Sequence, residues 1–444
     1  MNFLELAKKY QEDLIKDLQG LLAYESVLIE NPNSKEAPFG KGIYDSLNYV
    51  LALGEKYGFK IENIDNVAGH IEYGEGDDII GILVHVDVVP ADGEWLYPPF
   101  AGTIVNEKIY GRGAVDDKGP TICSLYALRM LKDLNIKLNK RVRLIIGTDE
   151  ESKWRGISRY FEKCPMPSFG FSPDADFPLI YGEKGILHLE IIDNSKTDIT
   201  FLGGNRFNVV PHQAIATMNK ECNNYEDYLS NNNLKGKYKE NEFLLQGKSA
   251  HALEPDLGVN AVVKLAKFLS QYTNNNLIKF VNAVLDDSRL KGVSLDFSDY
   301  EMGDLTCNLG ILKIENDKGK ACLDFRYPIR WNKELFLVKF KDLVESYKLE
   351  LNIVEDKNVH YINKEDPNIK QLHQAYIKYT NDETTPLKTI GGGTYARALA
   401  KGVAFGIGFP GREDVVHQAN EYIYIEDLIT ALAIYADAIF QLGR

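Results

Sequence analysis

The sequence predicts an α/β protein in which a doubly wound, largely parallel sheet carries an inserted α+β domain. Strand-like apolar runs alternate with helical periodicity over residues 1–181, and the same pattern resumes over residues 364–444. Between them, residues 182–363 show longer alternating strands and long helices. A chain of 444 residues also exceeds what one hydrophobic core normally supports. We therefore expect a discontinuous main domain, 1–181 with 364–444, and an inserted lid domain, 182–363.

The first segment opens with helical periodicity at Leu4–Leu28 and Tyr44–Tyr57. A β-branched run at Ile79–Val89 predicts a buried strand, and Arg141–Thr148 predicts a second one. The helix predicted between them, Pro120–Leu134, begins with a proline, which suits a first helical position. Strands that alternate with helices in this way favour a parallel sheet.

The inserted segment and the segment after it contain further predicted elements. The insertion is predicted to hold strands Ile186–Ile192, Gln213–Asn219, Glu242–Gln246, Cys322–Pro328 and Leu349–Glu355 and helices Asn260–Gln271 and Lys333–Tyr347. After it come a predicted helix Asn368–Asn381, a strand Val403–Gly408 and a helix Ile425–Leu442. His417, a candidate metal ligand, lies beyond the insertion, so the domain that carries the metal site is expected to be discontinuous.

Composition excludes several classes of function. The net charge of -13 disfavours nucleic acid and anionic lipid as partners, and no apolar run is long enough to span a bilayer. The 5 cysteines are widely spaced, without a CxxC pair, which is typical of a reducing compartment. We expect a cytoplasmic protein that binds neither nucleic acid nor membrane.

Acidic residues and histidines follow the predicted strands of the main domain. His85 and Asp87 are two residues apart, so they project from the same face of a strand. Glu150 and Glu151 follow the strand ending at Thr148, and Asp174 follows the run Phe169–Ser172. Because the carboxyl ends of parallel strands meet at one edge of a sheet, these groups can converge there. Two imidazoles and three carboxylates are enough to hold two divalent ions if one carboxylate is shared.

Each of these residues also has an interpretation without a metal. An isolated strand histidine is usually a buried, hydrogen-bonded one, and Asp174 alone would be a turn residue. Asp116 and Asp117 stand before a predicted helix and could simply cap it. A cap needs only one acid, however, and adjacent acids repel one another unless a cation is near. The joint occurrence of these groups therefore favours the metal site.

Six motifs in the same order resemble the dinuclear zinc peptidase and deacylase superfamily that includes aminoacylase, carnosinase and succinyl-diaminopimelate desuccinylase. Longer strings such as His-Val-Asp-Val-Val-Pro from His85 and Ser-Pro-Asp-Ala-Asp-Phe-Pro from Ser172 are most similar to its PepV-type bacterial dipeptidases. The resemblance spans nearly the whole chain. The six motifs are His85-x-Asp87, the Gly111–Gly119 loop, Asp149–Gly156, Ser172–Ala175, Gly247–Ala252 and Gly391–Arg397.

The resemblance implies a role for each residue of the site. Asp117 would bridge the metals, His85 and Asp174 would complete one metal position, and Glu151 and His417 the other. Glu150 would be the general base, with Asp87 orienting a ligand histidine. His251 and Asn208 would stabilise the oxyanion. The substrate carboxylate would be bound by Arg326 and by the Gly392, Gly393 and Thr394 backbone, although Arg326 could equally form a strand salt bridge, and Asn208 could be a turn residue.

We therefore predict a metallo-dipeptidase in which Glu150 activates a water shared by two divalent ions. Zinc is the expected metal, but a site made of nitrogen and oxygen ligands also accepts manganese or cobalt. One alternative is an N-acyl amino acid deacylase or desuccinylase of the same superfamily, and another is a non-catalytic metal- or peptide-binding protein. We expect small peptide substrates and a monomer, because the large insertion already contains both His251 and Asn208.

Overall fold

The computed structural model describes residues 2–220, 222 and 224–444. It divides into two compact units. The first unit consists of residues 1–181, 362–388 and 393–444, and the second of residues 182–361 and 389–392. The Gly391–Gly393 stretch is therefore shared between them, with Gly392 in the second unit and Gly393 in the first.

The helices and strands have the following bounds. The α-helices are α1 Phe3–Leu22, α2 Lys41–Lys56, α3 Lys118–Asp133, α4 Arg155–Lys163, α5 Tyr225–Asn231, α6 Ala261–Leu269, α7 Asn276–Val284, α8 Lys333–Ser346, α9 Pro367–Thr380 and α10 Ile425–Leu442. The strands are β1 Lys60–Ile64, β2 Ala68–Tyr73, β3 Ile79–His85, β4 Thr103–Val105, β5 Lys108–Tyr110, β6 Arg141–Gly147, β7 Phe169–Ser172, β8 Ala175–Asp176, β9 Ile180–Glu183, β10 Gly185–Asp193, β11 Ile199–Gly203, β12 Gln213–Met218, β13 Lys235–Lys239, β14 Glu242–Gln246, β15 Ser298–Asp299, β16 Gly303–Asp304, β17 Thr306–Glu315, β18 Lys318–Tyr327, β19 Glu350–Lys357, β20 His360–Tyr361, β21 Lys388–Ile390, β22 Gly402–Ala404, β23 Ile407–Gly408 and β24 Tyr422–Tyr424.

The main sheet of the first unit has parallel strands at its centre and antiparallel strands at its edge. Its order begins β1-β2-β6-β3-β7-β22. β6, β3, β7 and β22 run parallel, whereas β1 and β2 form an antiparallel hairpin at one edge. Every residue of β3 is buried, which requires packing on both faces of the sheet. The parallel centre brings the carboxyl ends of β3, β6 and β7 to one edge.

Helices α1, α3, α9 and α10 pack on one another in the first unit. α10 is apolar around most of its circumference, and 13 of its residues are buried, so it forms the centre of this helical layer. Among the described residues, no helix combines the length and the apolar character needed to cross a bilayer. The apolar character of α10 is thus explained by burial inside the unit.

The second unit is built on one antiparallel sheet with helices against it. Its order is β13-β14-β12-β11-β17-β18-β10-β19. Alternation in β10, where buried and half-buried residues follow one another, places Leu187, Leu189 and Ile191 in the core with Phe268 and Phe340. The predicted α+β texture of the insertion therefore matches its internal architecture.

Some elements differ from the sequence expectation. The first helix was expected to reach Leu28 but ends at Leu22. Beyond it, Val27 bridges to Val88 and the Ser26 hydroxyl donates to the Val86 carbonyl at 2.6 Å, so this stretch is extended. The hairpin β1-β2, helix α7 and strand β17 were not predicted.

Candidate metal and active site

The parallel strands deliver the predicted acids and one histidine to a single edge of the sheet. β3 ends at His85, which lies beside Gly147, the last residue of β6. Glu150 follows β6 by three residues, and Asp174 follows the end of β7 by two. One ligand atom each from His85, Glu150 and Asp174 lie within 4.8 Å of one another, as do one each from Asp116, Glu151 and His417. These are two adjacent candidate metal positions.

Asp116 links the two positions. Its Oδ1 lies 3.0 Å from His85 Nε2, and its Oδ2 lies 2.9 Å from His417 Nε2. His417 Nε2 is also 3.1 Å from Glu151 Oε1, and His85 Nε2 is 3.6 Å from Asp174 Oδ2. One carboxylate thus spans two imidazoles that come from opposite ends of the chain.

Asp117, the carboxylate expected to bridge, takes a different position. It is fully buried directly before α3 but makes no capping hydrogen bond to that helix. Instead its Oδ2 accepts from the His85 backbone N–H at 3.0 Å. Asp117 therefore does not cap α3 through its side chain, and Asp116 is the acid whose two oxygens lie close to both imidazoles.

Asp87 contacts a residue of each candidate metal position. His85 Nδ1 lies 3.0 Å from the Asp87 carbonyl and 3.6 Å from its Oδ1. Asp87 Oδ2 accepts from the Glu151 backbone N–H at 3.1 Å. A proton held on Nδ1 leaves the lone pair of His85 on Nε2, the atom that faces Asp116 and Asp174.

Burial and mutual repulsion shift three carboxyl groups of this cluster toward their neutral forms, whereas hydrogen bonds to His417 and His85 outweigh burial and lower the pKa of Asp116. Burial raises the pKa of Asp117 well above its usual range, and the Asp174 carboxylate adds to the rise. Burial likewise raises the pKa of Glu150 well above its usual range, with Asp174 and Glu151 adding to the effect and His85 opposing it. Burial, reinforced by Asp116, raises the pKa of Asp174 to about 6. Bound cations would remove this penalty.

The two histidines are shifted in the opposite direction. Hydrogen bonds to Asp116 and Glu151 raise the pKa of His417 to about 10. Burial lowers the pKa of His85, but hydrogen bonds to Asp116, Asp174 and Asp87 outweigh it and raise that pKa well above its usual range. The acids beside each imidazole thus favour its charged form.

Buried polar atoms at this edge of the sheet that have no hydrogen-bond donor or that face only carboxylates are suited to bind metal ions. Among the residues that the structure describes, Asp87 Oδ1 and Asp117 Oδ1 are buried without a hydrogen-bond partner, and His85 Nε2 is buried facing only the carboxylate oxygens of Asp116 and Asp174. Such atoms are costly in a folded protein unless something else binds them. The donor set is imidazole nitrogen and carboxylate oxygen, which suits zinc, manganese or cobalt.

Glu421 is a functional residue that the sequence analysis missed. Its carboxylate is fully buried and accepts from the backbone N–H groups of Gly113, Val115 and Asp116 at 3.1, 2.8 and 3.2 Å. Arg112 Nη1 donates to it at 2.7 Å. Glu421 therefore fixes the loop that presents Asp116, from a position four residues after His417. No local pattern indicates a contact across 305 residues.

The predicted substrate residues of the second unit form two groups. His251 and Asn208 lie on paired segments, because Val209 bridges to His251 and the Ala252 N–H donates to the Asn208 carbonyl at 3.0 Å. Both side chains are exposed.

Arg326 is a buried residue in a close ion pair. Its Nε and Nη2 donate to the two Asp324 oxygens at 2.7 and 2.8 Å, and Nη1 donates to the Gly391 carbonyl at 3.3 Å. The strand salt bridge considered from the sequence is therefore present, although it is buried rather than on the surface. In the same glycine-rich stretch nothing lies within 4 Å of a Cβ built on Gly392, and Thr394 Oγ1 accepts from Ala396 N–H at 3.3 Å.

A family model described as peptidase family M20/M25/M40 matches residues 81–441. The chain belongs to this family. The matched range includes the entire acid and histidine cluster, and the superfamily, the α/β fold class and the assignment as a peptidase that the sequence predicted are confirmed.

Relatives of this peptidase family match the chain over nearly its full length. The putative dipeptidase YtjP of Bacillus subtilis is 42% identical, covering 99% of this chain and 99% of its own. A putative dipeptidase of Staphylococcus saprophyticus is 40% identical, covering 98% of each chain. The aminoacylhistidine dipeptidase of Vibrio alginolyticus has a similar fold, with a TM-score of 0.60 at 12% identity over 97% of this chain and 96% of that one.

Proposed function

We propose that this protein is a metal-dependent dipeptidase that hydrolyses the peptide bond of short, unblocked peptides. The observation that carries the proposal is the Asp116 carboxylate between His85 and His417, with further acids against each histidine. Membership of a peptidase family and the names of the two relatives above support the same activity.

Two divalent ions would be held by five side chains, with Asp116 in the shared position. His85 and Asp174 would hold one ion, Glu151 and His417 the other. We place Asp116 in the shared position instead of Asp117, because the two Asp116 oxygens lie close to both imidazoles, whereas Asp117 Oδ2 accepts from the His85 backbone N–H. When bound, the ions would polarise the scissile carbonyl and make the attacking water more acidic. Zinc is the proposed metal, with manganese or cobalt as substitutes.

Glu150 would act as the general base and then as the acid. It belongs to the same group as His85 and Asp174, so its carboxylate would be close enough to take a proton from a water bound at that metal position. After accepting the proton from water, it would deliver this proton to the leaving amine. Asp87 would hold the His85 ring and the Glu151 backbone in place, which makes it a positioning residue.

Most of the groups proposed to bind substrate belong to the second unit, whereas Gly393 and Thr394 belong to the first. His251 and Asn208 are proposed to stabilise the oxyanion, and Arg326, Gly392, Gly393 and Thr394 to bind the free carboxylate of the peptide. The Asp324 carboxylate holds the Arg326 guanidinium in a single orientation, which would favour bidentate recognition. We also propose that the protein acts in the cytoplasm as a monomer; its 5 cysteines are free and buried.

A substrate panel separates the proposal from its alternatives. Purified protein loaded with zinc would be assayed for amino acid release from unblocked dipeptides, from the same dipeptides with acetylated amines, and from N-succinyl amino acids. Turnover of only the free dipeptides, abolished by chelator, is the expected result. Preference for the acylated compounds would favour a deacylase, and no turnover of any compound would favour a binding protein.

The monomer can be tested by complementation. An inactive Glu150→Gln chain would be mixed and re-equilibrated with an inactive His251→Ala chain. The mixture should stay inactive if each chain uses its own His251. Recovered activity would mean that the histidine acts on a partner's site, and the monomer would be ruled out.

A further inference from the structure

A second group of metal-binding side chains lies on the first unit and shares no residue with the cluster described above. It consists of Glu62 in β1, His70 in β2 and Cys164, the residue that follows α4. Glu62 and His70 are direct partners in the antiparallel register, so their side chains project from the same face of the hairpin. α4 packs on this face through Ile157 and Tyr160.

The spacing of these atoms suits a tetrahedral metal ion. One ligand atom from each of the three residues lies within 4.8 Å of the others, and His70 Nε2 is 3.7 Å from Glu62 Oε2. Metal bonds of about 2.0–2.3 Å place two ligand atoms of a tetrahedral site roughly 3.3–3.8 Å apart. The three side chains therefore need to move only slightly to surround an ion.

His70 is already prepared as a ligand. The ring is 4% exposed, and its Nδ1 lies 3.1 Å from the Tyr160 hydroxyl. A proton on Nδ1 donated to this hydroxyl leaves the lone pair on Nε2, which faces Glu62. Burial, reinforced by the Arg143 charge, lowers the pKa of His70 to about 4, so the ring is neutral at neutral pH.

The negative charge for a dication would come from two of the three ligands. The Arg143 guanidinium donates to Glu72, with its Nε 2.7 Å from Oε2, and Arg141 Nη1 lies 3.6 Å from the same oxygen, so Glu72 offsets the charge of these two arginines only in part. Glu62 supplies one negative charge. The buried Cys164 thiol would supply another by releasing its proton to solvent when the ion binds.

We propose that Glu62, His70 and Cys164 bind one further divalent ion of the zinc class. A thiolate, an imidazole and a carboxylate form a mixed donor set that zinc accepts, and the fourth position is open to water because the Glu62 side chain is 55% exposed. Such an ion joins the edge hairpin β1-β2 to the end of α4. α4 begins a few residues after Glu151, so the ion fixes the far end of the helix that follows the base and ligand acids.

Cobalt absorption tests this site independently of peptidase activity. The cluster around Asp116 contains no cysteine, so a thiolate-to-cobalt charge-transfer band in the near ultraviolet reports only on a cysteine ligand. Metal-free wild-type protein titrated with Co²⁺ should develop this band, with one more equivalent bound than the Cys164→Ser variant binds. The matched control is Cys322→Ser, which removes another buried thiol and should keep the band.

Two further variants make the result decisive. His70→Gln should weaken or abolish the band, and Glu62→Gln should weaken cobalt binding at this site, while visible absorption from the other cobalt ions remains. Loss of the band in Cys164→Ser and His70→Gln, with retention in Cys322→Ser, is the expected result. Wild-type protein that binds cobalt without the band, or a band that survives Cys164→Ser, would overturn the proposal. Neither outcome depends on whether the protein is a dipeptidase.

Discussion

The two units differ in how their buried carboxylates are balanced by positively charged groups. At the strand edge of the first unit, Asp116, Asp117, Glu150 and Asp174 crowd around histidines, and the pKa values of three of these acids are raised. In the second unit the buried Asp324 is matched by Arg326 and His188, and its pKa is lowered because their hydrogen bonds outweigh the effect of burial. A buried pair that is already neutral needs no ligand, whereas an excess of one sign indicates a missing partner.

Removing the metals should have the largest effect, and this effect should be confined to the first unit. Chelation is expected to abolish peptidase activity and to lower the melting temperature, because the repulsion between the acids returns. Hydrogen exchange should increase around residues 113–117 and 148–151 and stay unchanged around Asp324 and Arg326. Zinc, manganese or cobalt should restore the activity. Full turnover in excess chelator would contradict the metal site.

Substituting the shared carboxylate should nearly match the effect of chelation. Asp116→Asn removes the charge between His85 and His417 and is expected to lose both ions, measured as metal content per chain. The matched control is Asp117→Asn, which keeps an oxygen that can accept from the His85 N–H and should retain more metal. If Asp117→Asn lost the ions and Asp116→Asn kept them, the bridging role would return to Asp117.

The adjacent glutamates should separate chemistry from metal binding. Glu150→Gln preserves shape but cannot accept a proton, so the rate should fall by about 10²–10⁴-fold while metal content is unchanged. Glu151→Gln removes a charge beside His417 and should instead lower metal content. The opposite pattern of metal contents would require the two roles to be exchanged.

The Glu421→Gln change should have a smaller effect, because this residue contacts the Asp116 loop rather than an ion. An amide cannot accept all four hydrogen bonds that the carboxylate accepts, so the metal affinity should fall by about 10–100-fold, as for other residues that orient ligands. Saturating zinc should recover most of the activity. The control is Glu413→Gln on the same segment, which is exposed and should leave affinity unchanged.

The smallest expected effect is that of pH on the stability of the metal-free protein. Asp174 in the first unit and Asp324 in the second should contribute to it with opposite signs. The pKa of Asp174 is about 6 when folded against an ordinary 3.8, so the folded state binds more protons in that range and stability falls as pH rises through it. The pKa of Asp324 is lowered, so its contribution is present above 3.8 and lost as pH falls through the lower folded value. Local hydrogen exchange from pH 3 to 7 would measure both. If local stability changed with pH in the same direction near both residues, the contrast between the two units would be wrong.

Sequence pattern was sufficient where local spacing determines geometry. The two-residue spacing of His85 and Asp87 and the acids after successive strands predicted the edge at which they gather, because parallel strands end together. It could not distinguish Asp116 from Asp117, since adjacent acids look alike in one dimension. That choice depends on the loop that Glu421 fixes from 305 residues away.

The ends of some helices and strands also could not be predicted from the sequence. The apolar periodicity of α1 continues past Leu22, but Ser26 and Val27 are held in an extended conformation by Val86 and Val88. A tertiary contact thus overrides the local preference for helix. Strands β1 and β2 were missed because both are short, and Lys60, Ile61, Glu62 and Asn63 of the edge strand β1 are exposed, so β1 has no alternating apolar pattern.

The position of Glu421 in the chain has a consequence for the order of events during synthesis. The Asp116 loop emerges from the ribosome roughly 300 residues before its carboxylate partner and before His417. The second unit is almost contiguous, from residue 182 to 361, so its core can be assembled while the Asp116 loop still lacks its partner. The nascent protein therefore carries an incomplete acid cluster for most of translation, and a metal ion that needs His417 as a ligand could bind only after the final segment has docked.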